Sequence, residues 1–170
     1  MAHGFKGHEL WLAALVVGVD QATKGLVRGH FQLGESVSVI DGFFDIARVH
    51  NTGTAFGFMN GIDFPFKSAV LAGVALVALG GLALYLVSLP AHQRLARTGL
   101  ALILGGAVGN LIDRIGFGYV TDFVDVYAGT WHFWAFNVAD AAITIGVSLM
   151  ILDMLGVGTS PHVPAGRHGE

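Results

Sequence analysis

With 170 residues, 54% of them apolar and only 12% charged, the chain has length for about one domain and the composition of a protein whose solvent is lipid. A formal net charge of -3, with nine Lys and Arg residues scattered along the chain, excludes a nucleic-acid surface built on clustered cations. The lack of cysteine excludes disulfides, thiolate catalysis and Cys-based metal sites.

Taken in chain order, the sequence predicts an integral membrane protein, mainly α, with four transmembrane helices over about 10–27, 69–89, 98–112 and 133–155. A spanning helix needs about 20 apolar residues at about 1.5 Å rise each. The first apolar run is interrupted by Asp20, Gln21 and Lys24 and lacks a small-residue cleavage site, so it reads as a retained helix and not a signal peptide. Between helices one and two, residues 28–67 are polar. Here Ser36 to Ile40 alternates, Phe43 to Val49 is rich in strand formers, and Asp41-Gly42 fits a two-residue hairpin turn. A small extracytoplasmic β-hairpin or cradle is expected there, resting on the helix ends or the membrane surface because an isolated hairpin is marginal.

The second helix carries no charge, and its Gly80-Gly81 pair offers a place for another helix to approach closely. The loop Pro90 to Arg97 holds Arg94 and Arg97 without an acid and reads as cytoplasmic. Four spans then put both termini, with Lys6 and Arg167, on that side, against Lys24, Arg28, Arg48, Lys67 and Arg114 on the other. One domain is expected over 1–155, followed by a disordered cytoplasmic tail over 156–170 whose Gly, Pro, Ser and His show no periodicity.

Ionisable groups in or beside membrane helices cost several kcal/mol unless paired or hydrated, which makes each a functional candidate. Asp20 and Lys24 are spaced i, i+4 and share a helix face. Asn110, Asp113 and Arg114 fall on adjacent parts of one face, where Arg114 has the fork geometry to grip a carboxylate. Gly116 and Gly118 are expected to break helix three into a short loop carrying Asp122 and Asp125, with Asp125 as an exposed loop acid. Phe136 to Asp140 would open helix four and put Asp140 a few residues inside an apolar span. The loop brings Asp122 back over the start of that helix. Two adjacent carboxylates cannot easily both ionise, so the pair would share one proton. One Asp then takes a proton from an attacking water while its protonated partner donates to the carbonyl oxygen.

No metal or cofactor is required by that chemistry. There is no His-Glu-x-x-His, and His30, His50 and His132 are scattered among extramembrane residues; no Gly-x-Ser-x-Gly elbow is present either. Two other readings remain open on the residues alone. A small four-helix proton- or ion-coupled transporter would use Asp20, Asp113 and Asp140 as a relay. A noncatalytic scaffold would use its polar residues as interhelical glue.

Five blocks in order, Asp20-Gln21-Ala22-Thr23-Lys24, Asn51 to Gly57, Gly109 to Arg114, Val120-Thr121-Asp122-Phe123 and Phe136 to Asp140, resemble lipoprotein signal peptidase, also called signal peptidase II. The resemblance runs from helix one to helix four. It implies an aspartic endopeptidase of the bacterial inner membrane that removes the signal peptide of a diacylglyceryl-modified prolipoprotein, cutting before the lipidated cysteine, near the extracytoplasmic surface. It places Asp122 and Asp140 on the catalytic aspartates, and Asp20, Lys24, Asn51, Gly53, Asn110, Asp113, Arg114 and Asn137 among residues that support or line the site. The implied partners are the diacylated prolipoprotein, membrane lipid and inhibitors of the globomycin type, with no nucleic acid. Phe56, Phe58, Met59 and Phe64 are candidates for an apolar lip over the lipid, with plain packing near the interface as the other reading.

Overall fold

The computed structural model describes residues 7–53, 66–129 and 131–157. The elements follow the order α1 (Gly7–His30), β1 (Ser36–Ile40), β2 (Phe44–Asn51), α2 (Lys67–Ser88), α3 (Arg94–Phe117), β3 (Val120–Ala128), β4 (Trp131–His132) and α4 (Val138–Met154). Three of them, α1, α2 and α3, are long and apolar enough to cross a bilayer, whereas α4 has 17 residues. With the small antiparallel sheet they make an integral membrane protein. Large apolar side chains such as Trp11, Val77, Leu84 and Ile115 point outward, as lipid-facing residues do.

The helices α1 and α3 are longer than their apolar runs, because each carries its polar residues on helical turns and not in loops. Helix α3 begins at Arg94 and so absorbs the end of the expected 90–97 loop. It also runs through Gly116 and closes at Gly118, whose φ of 81° is the left-handed cap conformation that glycine adopts without strain. Helix α4 starts only at Val138, not at 133, since Phe136 is held in a β-bridge to Val124.

The largest departure from the sequence reading lies between α3 and α4. The expected loop is strand β3, which joins the hairpin to make a four-stranded antiparallel sheet in the order β1-β2-β3-β4. Strands β2 and β3 pair from Phe44 opposite Val126 to Asn51 opposite Val120, with a bulge between Ile46 and Val49. The hairpin turn takes three residues, 41 to 43, with Gly42 at φ 78°, because Ile40 pairs with Phe44. Residues 54–65 and 158–170, which include the aromatic lip and almost all of the tail, lie outside the described residues.

Helix α3 is the hub, packed by α1, α2 and α4. Its glycines explain how. A Cβ at Gly99 would stand 2.6 Å from the Gly146 carbonyl oxygen of α4, one at Gly105 would stand 2.8 Å from that of Ala13 on α1, and one at Gly106 would strike that of Ala139. Backbones in lipid pack through such small residues, where close van der Waals contact replaces the hydrophobic driving force. A Cβ at Gly80 or Gly81, expected to serve this purpose, would meet nothing within 4 Å among the described residues; Gly80 lines an apolar cavity of about 520 Å³ between α1, α2 and α3. Gly106→Val should therefore lose folded protein in detergent, since overpacking costs about 1–3 kcal/mol or more. Gly81→Ala should leave the thermal unfolding midpoint unchanged or raise it slightly, since Ala favours a helix interior by about 0.5–1 kcal/mol, and a comparable fall in both variants would contradict this packing scheme.

Candidate active site

The site grows from one face of α1. Asp20, Lys24 and Arg28 recur every four residues, and all three side chains turn toward α3 and the sheet. Lys24, fully buried, places Nζ 2.8 Å from Asp20 Oδ2 and 3.6 Å from Asp113 Oδ2. Arg28 pairs with Asp113 Oδ1 at 3.2 Å, donates to Thr121 Oγ1 and covers the Phe117 ring at 4.5 Å. Asp113 completes its shell by accepting from the Thr121 backbone N–H and from Gln21. A buried carboxylate with this many donors has its hydrogen-bonding capacity met from within the protein.

Above this layer the amides take over. Asn110 Oδ1 accepts from Lys24 Nζ at 2.8 Å and from Asn137 Nδ2 at 3.2 Å, while Asn110 Nδ2 donates to Asp140 Oδ1 at 2.9 Å. Asn137 is the N-cap of α4 and Asp140 its third helical residue. Asn137 Oδ1 accepts from the Asp140 backbone N–H, and Asp140 Oδ2 accepts from that of Asn137. This reciprocal capping box is written in the sequence as Asn137-Val138-Ala139-Asp140, and it locates Asp140 in the first helical turn, a few residues inside the apolar segment as expected.

Asn137 also donates to Asp122 Oδ1 at 2.6 Å, and Asn51 donates to Asp122 Oδ2 at 3.0 Å. One asparagine thus holds both aspartates, one from β3 and one from α4. Asp122 is 2% exposed. Burial, then repulsion from Asp140, pushes its carboxyl from 3.8 up to about 7, against the opposing pull of the Asn51 and Asn137 hydrogen bonds and of Lys24. Arg114 does not grip a carboxylate. Its Nη2 donates to the Gly53 carbonyl at 2.7 Å, and its buried Nη1 meets no partner among the described residues. Gly53 in turn donates its N–H to Asn51 Oδ1.

All ten expected site residues are therefore joined in one network of hydrogen bonds and ion pairs. Gln21, Arg28 and Thr121 belong to it too. The i, i+4, i+8 spacing of Asp20, Lys24 and Arg28 is the signal that could have found Arg28; Gln21 and Thr121 stand in the quoted blocks but carry no pattern of their own. The histidines remain apart. His30 bonds the Leu26 carbonyl, His50 stacks on Tyr119 at 3.5 Å, and His132 pairs with Asp125. Asp125 sits on β3 opposite Asp45, not on a loop. Among the described residues no three His, Asp or Glu side chains converge as a metal site.

Apolar helices closed around a buried layer of acids, cations and amides define a multi-pass membrane protein with a polar site at one end of its bundle. A family model described as signal peptidase (SPase) II matches residues 12–156. The lipoprotein signal peptidase of Syntrophus aciditrophicus is 48% identical over 143 residues, covering 84% of this chain and 89% of that one. That of Geobacter sulfurreducens is 47% identical over 145 residues, with coverage of 84% and 89%. A bacterial membrane enzyme solved by the in meso method at 2.3 Å resolution superimposes with a TM-score of 0.82 at 29% identity, covering 98% of both chains. The chain belongs to the signal peptidase II family, and is a peptidase; the transporter reading loses its support.

The raised Asp122 carboxyl has a measurable consequence. Its folded value lies above the unfolded one, so the folded state binds more protons between about pH 4 and pH 7, and this group's contribution to stability falls as pH rises through that window. Asp122→Asn removes the effect. The unfolding midpoint of the variant relative to the unmodified protein should rise from pH 4 to pH 7 and then level off, as followed by thermal unfolding in detergent. A difference that does not change with pH would contradict the assigned environment.

Proposed function

We propose that the chain is an aspartic endopeptidase of the bacterial inner membrane that removes the signal peptide from diacylglyceryl-modified prolipoproteins, cutting before the lipidated cysteine with Asp122 and Asp140 as the catalytic pair. The observation that carries this reading is the position of Asn137, bonded at once to Asp122 Oδ1 and to Asp140 through the capping box. It holds two carboxylates in one buried site where like charges oppose each other.

Charge balance supports the same assignment. The linked cations are Lys24, Arg28 and Arg114, and the linked carboxylates are Asp20, Asp113, Asp122 and Asp140, so one proton brings the network to neutrality. Asp20 and Asp113 have direct cationic partners. Asp122 and Asp140 have amide partners instead, which leaves the proton to that pair. A singly protonated pair supplies a base for the attacking water and an acid for the carbonyl oxygen. Asn51 and Asn137 fix the plane of Asp122, and Asn110 and Asn137 fix that of Asp140, so neither carboxyl rotates away from the reacting atoms.

The reading includes α4 as a fourth span. Its 17 residues extend over about 25 Å at 1.5 Å rise, close to a hydrocarbon core of about 30 Å. Trp131 and Trp134 just before it are the amphipathic rings that favour a membrane interface. Four spans over a single domain put both termini at the cytoplasmic face, with the sheet and the aspartate pair at the extracytoplasmic one. Both the acyl chains of the substrate and its apolar signal helix partition into lipid, at about 0.8 kcal/mol per buried CH₂ for the chains. The scissile bond is thereby carried to the depth at which the pair meets water. Globomycin-type inhibitors would occupy this site.

Purified protein in detergent should convert a diacylated prolipoprotein to one product set by mass spectrometry, leave the unlipidated precursor intact, and work in the presence of chelators. Asp122→Asn and Asp140→Asn should each lower the rate by a factor of about 10² to 10⁴, the usual worth of general acid or base catalysis, while both remain folded. Substantial activity in either variant would sink the pair, and equal cleavage of the unlipidated precursor would sink the substrate assignment.

A further inference from the structure

We propose that Lys24 is a positioning residue of the reaction, whose ammonium turns the Asn110 amide so that its NH₂ faces Asp140 and makes Asp140 the member of the pair that carries the negative charge. The inference rests on the aspartate-pair reading above and adds to it an assignment of the base and the acid.

Lys24 has three partners at its buried head group. Asp20 at 2.8 Å and Asp113 at 3.6 Å suffice to neutralise it and to tie α1 to α3. The third bond, to Asn110 Oδ1 at 2.8 Å, is as short as the first and has no place in a purely structural ion pair. An ammonium only donates, and so does the Asn137 amide that reaches the same oxygen at 3.2 Å. The oxygen end of Asn110 is thus fixed toward Lys24, and the NH₂ end must point the other way, at Asp140 Oδ1, 2.9 Å distant. An NH₂ group also only donates, and it favours the ionised form of the oxygen that it meets. Asp140 Oδ2 faces a second donor, the Asn137 N–H.

The groups that act on Asp140 come from every neighbouring element: Lys24 and Asp20 from α1, Asn110 and Arg114 from α3, and Asp122 from β3. Of the two cations, Lys24 has the shorter hydrogen-bonded path to Asp140, through Asn110 alone, whereas that from Arg114 runs through Gly53, Asn51, Asp122 and Asn137. On this assignment Asp140 takes the proton from water, and Asp122 gives its own to the carbonyl oxygen.

The test is the pH dependence of kcat and KM for the full chain in detergent with a diacylated prolipoprotein, in the unmodified protein, Lys24→Met, Lys24→Arg and Asp20→Asn. Removing the cation should move the whole bell-shaped kcat profile to higher pH by about one unit or more. KM should change by less than about twofold, because ground-state binding is untouched. Lys24→Arg should return the bell toward its original place. Asp20→Asn, which leaves Lys24 less neutralised, should move it to lower pH. Opposite displacements support the proposal, whereas lower kcat with an unmoved bell, or displacement of both variants in one direction, overturns it. If Lys24→Met fails to fold, Asn110→Ser decides: it removes the donor to Asp140 and leaves Lys24 paired with Asp20, so the bell should move to higher pH, and an unmoved bell overturns the proposal. A flat profile in the unmodified protein would instead remove the aspartate pair itself.

Discussion

The carboxylate of Asp20 is the contact on which the rest of the arrangement depends. Buried in the middle of α1, it has no water to solvate it and must satisfy its charge from three directions. Lys24 meets it from the next turn, Gln21 from its own, and the Ala139 backbone N–H from the first turn of α4 at 3.0 Å. That last donor is one of the unpaired amides at a helix N-terminus, where the helix dipole favours an anion. The carboxylate thereby fixes where α4 begins. Asp140 follows Ala139 in the chain, so the acid that joins the proposed pair is registered against α1 by a neighbour's backbone. Gly109 is part of the same solution, since a Cβ there would stand 2.5 Å from Asp20 Oδ2.

A site assembled this way draws its two acids from elements of different stiffness and different solvent. Asp140 is locked into a helix cap inside the bundle, while Asp122 comes from a strand whose partner β2 belongs to the sheet beyond the helix ends. The link between the two environments is made of amides, which conduct orientation without adding charge. Arg114 extends the link from α3 to the backbone of Gly53, just past the end of β2, so the chain leaving the sheet is also tied to the hub helix. The lipid-bound substrate proposed for this peptidase needs both halves: water on one side, hydrocarbon on the other.

Much of this was legible in the sequence, and the parts that were not share a cause. The apolar runs announced the helices, and isolated acids inside them announced the site, because lipid penalises charge strongly enough to make each exception informative. Helix ends are hidden where polar residues or glycine continue a helix: Arg94 and Arg97 at the start of α3, Gly116 near its end. Strand β3 is masked by the acids of Val120 to Ala128, although that run is rich in the strand formers Val, Thr, Phe and Tyr. Asp140 has the look of an intramembrane charge, while the Asn-x-x-Asp spacing spells a cap. Glycine contacts depend on which backbone comes near, a tertiary fact, so Gly80-Gly81 and Gly105-Gly106 look alike in one dimension and differ in three.

The expected cytoplasmic basic loop contained one more surprise. Arg97 is buried, and it holds Glu9 of α1 through Nε at 2.5 Å and Nη2 at 2.8 Å while also donating to the Leu89 carbonyl. Neither ion is tolerable alone in hydrocarbon, yet α2 separates them in the chain and packs chiefly on α3. The pair ties the start of α1 to the start of α3 and, through the Leu86 and Leu89 carbonyls, to the end of α2. Three helix ends are thereby clamped at the end of the bundle remote from the aspartates, so the charge that anchors the helices and the charge proposed for chemistry are kept apart by the length of α1.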